Sequence, residues 1–165
     1  MTAAARKVLA DCFLAHQLLE DETDTEIWRV HWVGALSLIR AVGHVLEAVD
    51  GTDLRYRKIS DEMYSLWRDN QNLEHQIFRE FIKHERDLML KEYSTVVNLD
   101  AAVPVLITHD DQGYLLDQNI FRPMEEGTWA GEDSRDVYEM AINWWTVQLD
   151  TIDRLVAANK SKISS

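Results

Sequence analysis

One cysteine, two prolines and six glycines are all that this 165-residue chain holds of the residues that staple, kink or loosen a backbone. The lone Cys12 excludes an internal disulfide and any cysteine-based zinc site. Its neighbours Leu9, Phe13 and Leu14 read it as a small buried hydrophobe. So few prolines and glycines leave long helices unobstructed. Positive charge is scarce too. Against 29 Asp and Glu stand 17 Lys and Arg, for a formal charge of −12. That balance repels phosphate backbones at long range, so a nucleic-acid role demands a local basic patch. The chain lacks the apolar core of a signal peptide, and no run approaches the ~18 apolar residues of a membrane span. A cytoplasmic location, away from any membrane, is expected. Nucleotide-binding glycine loops, His-Glu-x-x-His and Glu-x-x-His pairs are also absent, and Ser37 lies mid-helix without the glycines of a nucleophile elbow.

What is present reads as a folded helical protein. Hydrophobic residues make up 46% and charged residues 28%, the balance of a globular domain rather than of a disordered chain. The length fits a single domain over 1–165. Residues 2–20 form a first helix with Val8, Leu9, Cys12, Phe13, Leu18 and Leu19 on its apolar side. Thr23-Asp24-Thr25-Glu26 has the capping-box form and opens a second helix. Along it Trp28, Trp32, Ala35, Ile39, Val42, Leu46 and Val49 alternate steps of four and three. A flanking row, Ile27, Gly34, Leu38, Ala41 and Val45, widens the stripe to that of a helix at the centre of a bundle. Asp50-Gly51 ends it.

Helical pattern resumes from Leu54 to Tyr93. One rod of that length would span roughly 60 Å, too long for a compact domain of this size. A break is therefore placed at Asp69-Asn70-Gln71-Asn72, whose short polar side chains can cap a new helix. Over 98–133 the pattern changes. Val103, Val105 and Ile107 alternate, Asp111-Gln112-Gly113 supplies a turn, and Tyr114-Leu115-Leu116 follows, which predicts a small β-hairpin or extended insertion before the last helix. That helix starts near Asp133 or Ser134, with Tyr138, Ile142, Trp145, Leu149, Ile152 and Val156 on one seam, and the tail Lys160–Ser165 is expected to fray. Trp144 and Trp145 point about 100° apart. Burying both requires cover on two sides, from a dimer interface or from the inserted hairpin.

The candidate site lies between Arg79 and Tyr93. At about 100° per residue, Arg68, His75, Arg79, Lys83, Arg86 and Tyr93 fall on one strip, with Ile77, Phe81 and Leu88 on the opposite, core-facing side. His84, Asp87 and Lys91 form a row between them. Such a strip can hold an anionic group. The same residues also suit a solvated face with pairs such as Asp87 with Lys91, worth ~0.3 kcal/mol. His16 and His31 lie near apolar faces and read as buried, hydrogen-bonded histidines, so no metal site is expected.

The order Arg86-Asp87-Leu88-Met89-Leu90-Lys91-Glu92-Tyr93 resembles the motif of the HEPN superfamily, helical-bundle proteins that include many metal-independent ribonucleases. There an arginine with a polar neighbour is followed, after four to six positions, by a histidine, and in one toxin branch by a tyrosine two residues further on. Here Lys91 stands in the histidine position. The resemblance covers residues 25–95 and the final helix. It implies that Arg86 binds a scissile phosphate, that Lys91 occupies the acid/base position, and that Tyr93 is a cleft or modification residue. It also implies a homodimer, since in the family the cleft forms between two protomers. An ammonium steadies charge but accepts a proton poorly, so phosphate binding survives the substitution better than catalysis does. Were the chain a nuclease, His84 would be the substitute base. Arg79-to-His84 and Arg68-to-His75 also have the family spacing, but pairs so loosely defined arise about once by chance in a chain of this composition.

The expected protein is thus an all-α bundle of four to five helices, without cofactor or metal. Its expected role is a degenerate HEPN-like module that binds RNA or a nucleotide phosphate through Arg79, Lys83 and Arg86, or a protein partner through its acidic surface or the 98–133 insertion. The alternatives are an active metal-independent ribonuclease and an acidic interaction scaffold.

Overall fold

The computed structural model describes residues 1–101, 103–107, 112–115 and 119–163, and the side chains of these residues except Arg86, Leu90, 104–107, 112–115 and 160–163. Five helices carry the described part: α1 (Ala3–Asp21), α2 (Thr25–Ala48), α3 (Leu54–Trp67), α4 (His84–Glu92) and α5 (Ser134–Ile163). The architecture is an all-α bundle, as the periodicity predicts. Between α4 and α5 stands an antiparallel hairpin, β1 (Pro104–Ile107) with β2 (Gln112–Leu115), in which Ile107 faces Gln112 and Leu106 faces Gly113. Gln112 and Gly113 are therefore strand residues rather than the turn expected of them. Residues 108–111, Asp111 among them, and Leu116 lie outside the described residues.

A three-residue link folds α2 back along α1, and α5 packs against both α1 and α3. The cap of α2 is Asp24, whose Oδ1 accepts from the Glu26 and Ile27 amides at 2.9 and 3.0 Å. The capping-box pattern points one residue earlier, to Thr23. The N-terminus of α1 is capped by remote residues. Asp50 accepts from the amides of Ala4 and Ala5 at 3.1 and 2.9 Å, while Asp153 accepts from the Thr2 amide at 2.7 Å and pairs with Arg6. Burial raises the Asp153 carboxyl, but the hydrogen bonds from Arg6 and Thr2 outweigh it and hold the group below the usual carboxylate range.

Two aromatic clusters fill the core. Trp28 and Trp32 stack at 5.4 Å, with Phe81 and Tyr138 against Trp32 at 6.1 and 6.0 Å. Trp67, Phe78, Trp144 and Trp145 form the second, at centroid distances from 4.8 to 6.2 Å. Each buried indole N–H finds an acceptor, as burial requires. Trp28 donates to the Leu19 carbonyl, Trp145 to that of Ile39, Trp67 to Gln148 and Trp144 to His75 Nδ1. Trp144 and Trp145 are both buried. Their cover comes from Trp67, Phe78 and His75 on one side and from α2 on the other, within one protomer, so neither a dimer nor the hairpin is needed.

The helical seams of α2 and α5 are buried as predicted, except that Val49 at the end of α2 is 52% exposed. The flanking row of α2 is covered only in part. Ile27 is 48% and Val30 62% exposed, Gly34 is open, and Leu38, Ala41 and Val45 are half-buried. On α1, Phe13, Leu14 and Leu18 are exposed as well, although the pattern sets Phe13 and Leu18 on its packed side. By length and composition the stretch Thr25–Thr52, which contains an 18-residue window of mean hydropathy 1.4, is apolar enough to cross a membrane, although polar residues interrupt it too often for an unbroken apolar run. In the bundle its seam from Trp28 to Leu46 is buried against the other helices. At the far end α5 continues to Ile163, so the helix reaches into the tail expected to fray, of which Ser164 and Ser165 lie outside the described residues.

Candidate functional site

The basic segment folds in three pieces. After α3 ends at Trp67, a short 3-10 turn spans Leu73–His75, a π turn spans Phe78–Ile82, and α4 begins at His84. The break predicted at 69–72 is present, but the helix beyond it is not a single regular one. A π turn spends an extra residue per hydrogen bond, here from the Lys83 amide to the Phe78 carbonyl at 3.2 Å, and so rotates everything after it relative to an α-helical wheel. Phe78, Phe81 and Ile82 are buried by this arrangement.

The predicted strip is dispersed accordingly. Arg68 lies over the Tyr64 ring at 5.6 Å, on the far side of the break. His75 is buried beneath Trp144. Burial depresses its pKa below that of an ordinary histidine, and Arg79 adds to this while Glu74 opposes it. Arg79 turns its guanidinium onto the backbone, donating from Nη1 to the Trp67 carbonyl at 3.1 Å and from Nη2 to the Asn72 carbonyl at 2.8 Å. It thus closes the C-terminal end of α3, whose last carbonyls lack helical partners.

What remains together is a shallow groove along α4. Arg79, Lys83, His84, Asp87, Leu88, Lys91 and Glu92 line an open space of about 360 Å³. Lys83 and His84 are exposed. Lys91 pairs with Asp87 at 3.4 Å while remaining 71% exposed on its side chain. Of the motif's first residue, Arg86, the backbone lies in α4 and the side chain is outside those described. Tyr93 ends the helix in the left-handed region, φ 48°, a conformation that disfavours a residue with a Cβ. Its ring is 70% exposed and carries the Arg29 guanidinium at 5.9 Å. Tyr93 is therefore not turned into the groove with Lys91.

Two residues at this end escape a reading of the sequence. Arg29 sits on α2, far from the motif, and only the fold brings it to Tyr93. Glu85 looks like one more charge on a polar helix, yet it is 2% exposed, and its Oε2 has no hydrogen-bond partner among the described residues. Burial raises its pKa, partly offset by His84 and by the Val96 amide. Chemically, the groove offers cations for an oxyanion at its surface, without an enclosed pocket to exclude water. Among the described residues no group of three or more His, Cys, Asp or Glu is placed to share a metal ion. No family model, no curated protein and no solved structure matches this chain.

Proposed function

We propose that this protein is a non-catalytic, HEPN-like binding module whose α4 groove receives a phosphate group of RNA or of a nucleotide. The observation that carries the reading is the convergence of Lys83, His84 and Lys91 on one open groove, in a chain whose overall charge is −12. Open, hydrated cations bind phosphate through counterion release and do little to activate an attacking hydroxyl. The pairing of Lys91 with Asp87 fits that role better than proton transfer.

The test is incubation of a mixed-sequence, end-labelled RNA in chelator, with binding measured in parallel at several salt concentrations. The expected result is salt-sensitive binding without cleavage, weakened by Lys83→Gln. The salt slope should become shallower by about 0.7 for each single-strand phosphate that the variant no longer neutralises. Cleavage that vanishes in Arg86→Ala would establish a ribonuclease instead, and His84→Ala would then show whether that histidine serves as base. Silence in the wild type with activity gained by Lys91→His would mean a nuclease site retired by one substitution. Neither binding nor cleavage in any variant would leave an interaction scaffold working through the acidic surface or the 98–133 insertion.

Homodimerisation belongs to the same reading, and the uncovered face of α2 supports it. At about 100° per residue, Val30, Gly34, Ser37, Ala41, Val45 and Ala48 share the side opposite the buried seam; none of these is charged, and Glu26 and His44 border them. An antiparallel copy of α2 would set Ile27 against Ala48, Val30 against Val45 and Gly34 against Ala41. That matches large residues with small ones at the ends and lets the backbones approach at the middle. Val30→Lys is expected to convert a dimer to a monomer with the helix content unchanged. Sedimentation velocity checks this, and a monomeric wild type would overturn it.

A further inference from the structure

Among the described residues Tyr93 is the only one other than glycine with a left-handed backbone, at φ 48°. Glycine or asparagine takes such a position after a helix readily, whereas the Cβ of a tyrosine crowds the backbone there. Burial does not offset that strain, because Tyr93 is 70% exposed. The frame around it is nonetheless firm. Its amide donates to the Met89 carbonyl at 3.0 Å, and two residues on, Thr95 Oγ1 accepts from the Trp32 indole at 3.2 Å.

Arg29, one turn before Trp32 on α2, brings its guanidinium to 5.9 Å from the centre of the Tyr93 ring. It is half-buried, its Nε is buried without a partner, and its side chain has no hydrogen bond or ion pair among the described residues. A partly desolvated guanidinium without an anion is a charge that a phosphate strand would complete. The end of α4 thus presents an open aromatic ring on a fixed backbone, beside a cation with no ion pair. Lys91, which lines the α4 groove, lies only two positions back along the chain.

We propose that Tyr93, backed by Arg29, is a stacking platform for one unpaired base of a single-stranded RNA whose phosphate lies in the α4 groove. This rests on the reading of that groove as a phosphate site, and it narrows the ligand from any phosphate to a strand with a base free to leave its neighbours. The phosphate sits by Lys83 and Lys91, and the base lies beyond the end of the groove, where the Tyr93 ring is turned. Every base has a π face, so the ring accepts any of the four. A duplex keeps its bases stacked inside and brings only its backbone to the site.

The test titrates the full chain with a short run of uridines carrying one 2-aminopurine, whose fluorescence falls when it stacks, and with an abasic strand of equal length. Wild type is expected to quench the probe and to bind it about tenfold more tightly than the abasic strand. Tyr93→Phe should keep both properties. Tyr93→Asn, which suits the left-handed backbone, should melt at no lower temperature, yet lose the quenching and bind the two strands alike. Arg29→Gln should weaken the probe, and Lys83→Gln should weaken both strands equally, since it acts on phosphate. Should Tyr93→Asn quench and bind as wild type does, or wild type fail to distinguish the strands, the platform is overturned, and the groove reading survives if Lys83→Gln still weakens binding. Failure of wild type to bind either strand overturns both.

Discussion

His75 and Trp144 share one hydrogen bond, 3.2 Å from the indole N–H to Nδ1, and it exists only while that nitrogen is unprotonated. The histidine's folded pKa is depressed, so the unfolded chain binds the proton more readily. Stability is therefore present above the unfolded value near 6.5 and is lost as pH falls from there toward the folded one. His75→Gln keeps an acceptor and removes the titration. Urea unfolding at about pH 7.5 and about pH 5.5 should show the wild type losing stability that the variant retains. Cys12 makes a second prediction of the same kind. It is fully buried, and burial pushes its thiol up to about 12. A thiol held that far from its anion is a poor nucleophile. Ellman's reagent should leave it untouched in the native protein and label it at once in denaturant; rapid native labelling would show that α1 opens locally. At this scale the sequence speaks unevenly. The burial of Cys12 follows from its neighbours, whereas that of Glu85 does not, because nothing local distinguishes it from Glu80, which stays exposed.

At the scale of elements, the informative case is a helix whose N-terminal cap comes from elsewhere. Asp50 takes two amides of α1 from the far end of α2, so one carboxylate both satisfies orphan donors and fixes where the two helices meet. Asp50→Ala should cost about 1–2 kcal/mol, the range for removing a cap. Circular dichroism melts would check this, and an unchanged midpoint would mean that water replaces the carboxylate fully. The long amphipathic helices, α2 and α5, are legible because the period of 3.6 recurs over many turns. The segment 68–93 is legible as broken but not in phase. A π turn leaves no trace in the periodicity, since Phe78, Phe81 and Ile82 keep the three- and four-residue spacing of an ordinary helix face. A wheel that groups Arg79 with Arg86 and Tyr93 assumes regularity the backbone does not keep, and Arg79 becomes a cap.

For the whole molecule, the sequence yields the fold class, the helix order and the single insertion. It also yields an apolar row on α2 without saying that one protomer would leave it open. The cavity of about 240 Å³ lined by Arg40, Gly43, Arg57 and Tyr64, between α2, α3 and α5, is invisible there for a plainer reason. Its walls come from three helices separated by up to about a hundred residues, and no local spacing announces such a meeting. The α4 groove is legible as a cluster of cations and illegible as a shape.

The stems of the insertion are fastened more firmly than its position between helices suggests. Val97 bridges to Met124, the Asn98 amide donates to the Pro123 carbonyl, and the fully buried Arg122 donates to the Leu99 carbonyl at 2.8 Å while lying 4.8 Å above the Trp28 ring. Beyond them Arg135 holds the carbonyls of Asn119 and Ile120. The chain is thereby closed on itself on both sides of residues 100–118 without help from the peptide bonds between. A single cut there should leave one particle of two fragments that co-elute on gel filtration and separate only in denaturant. Two separately expressed halves, divided at that point, should then find each other and fold, which would make this domain a split-protein pair.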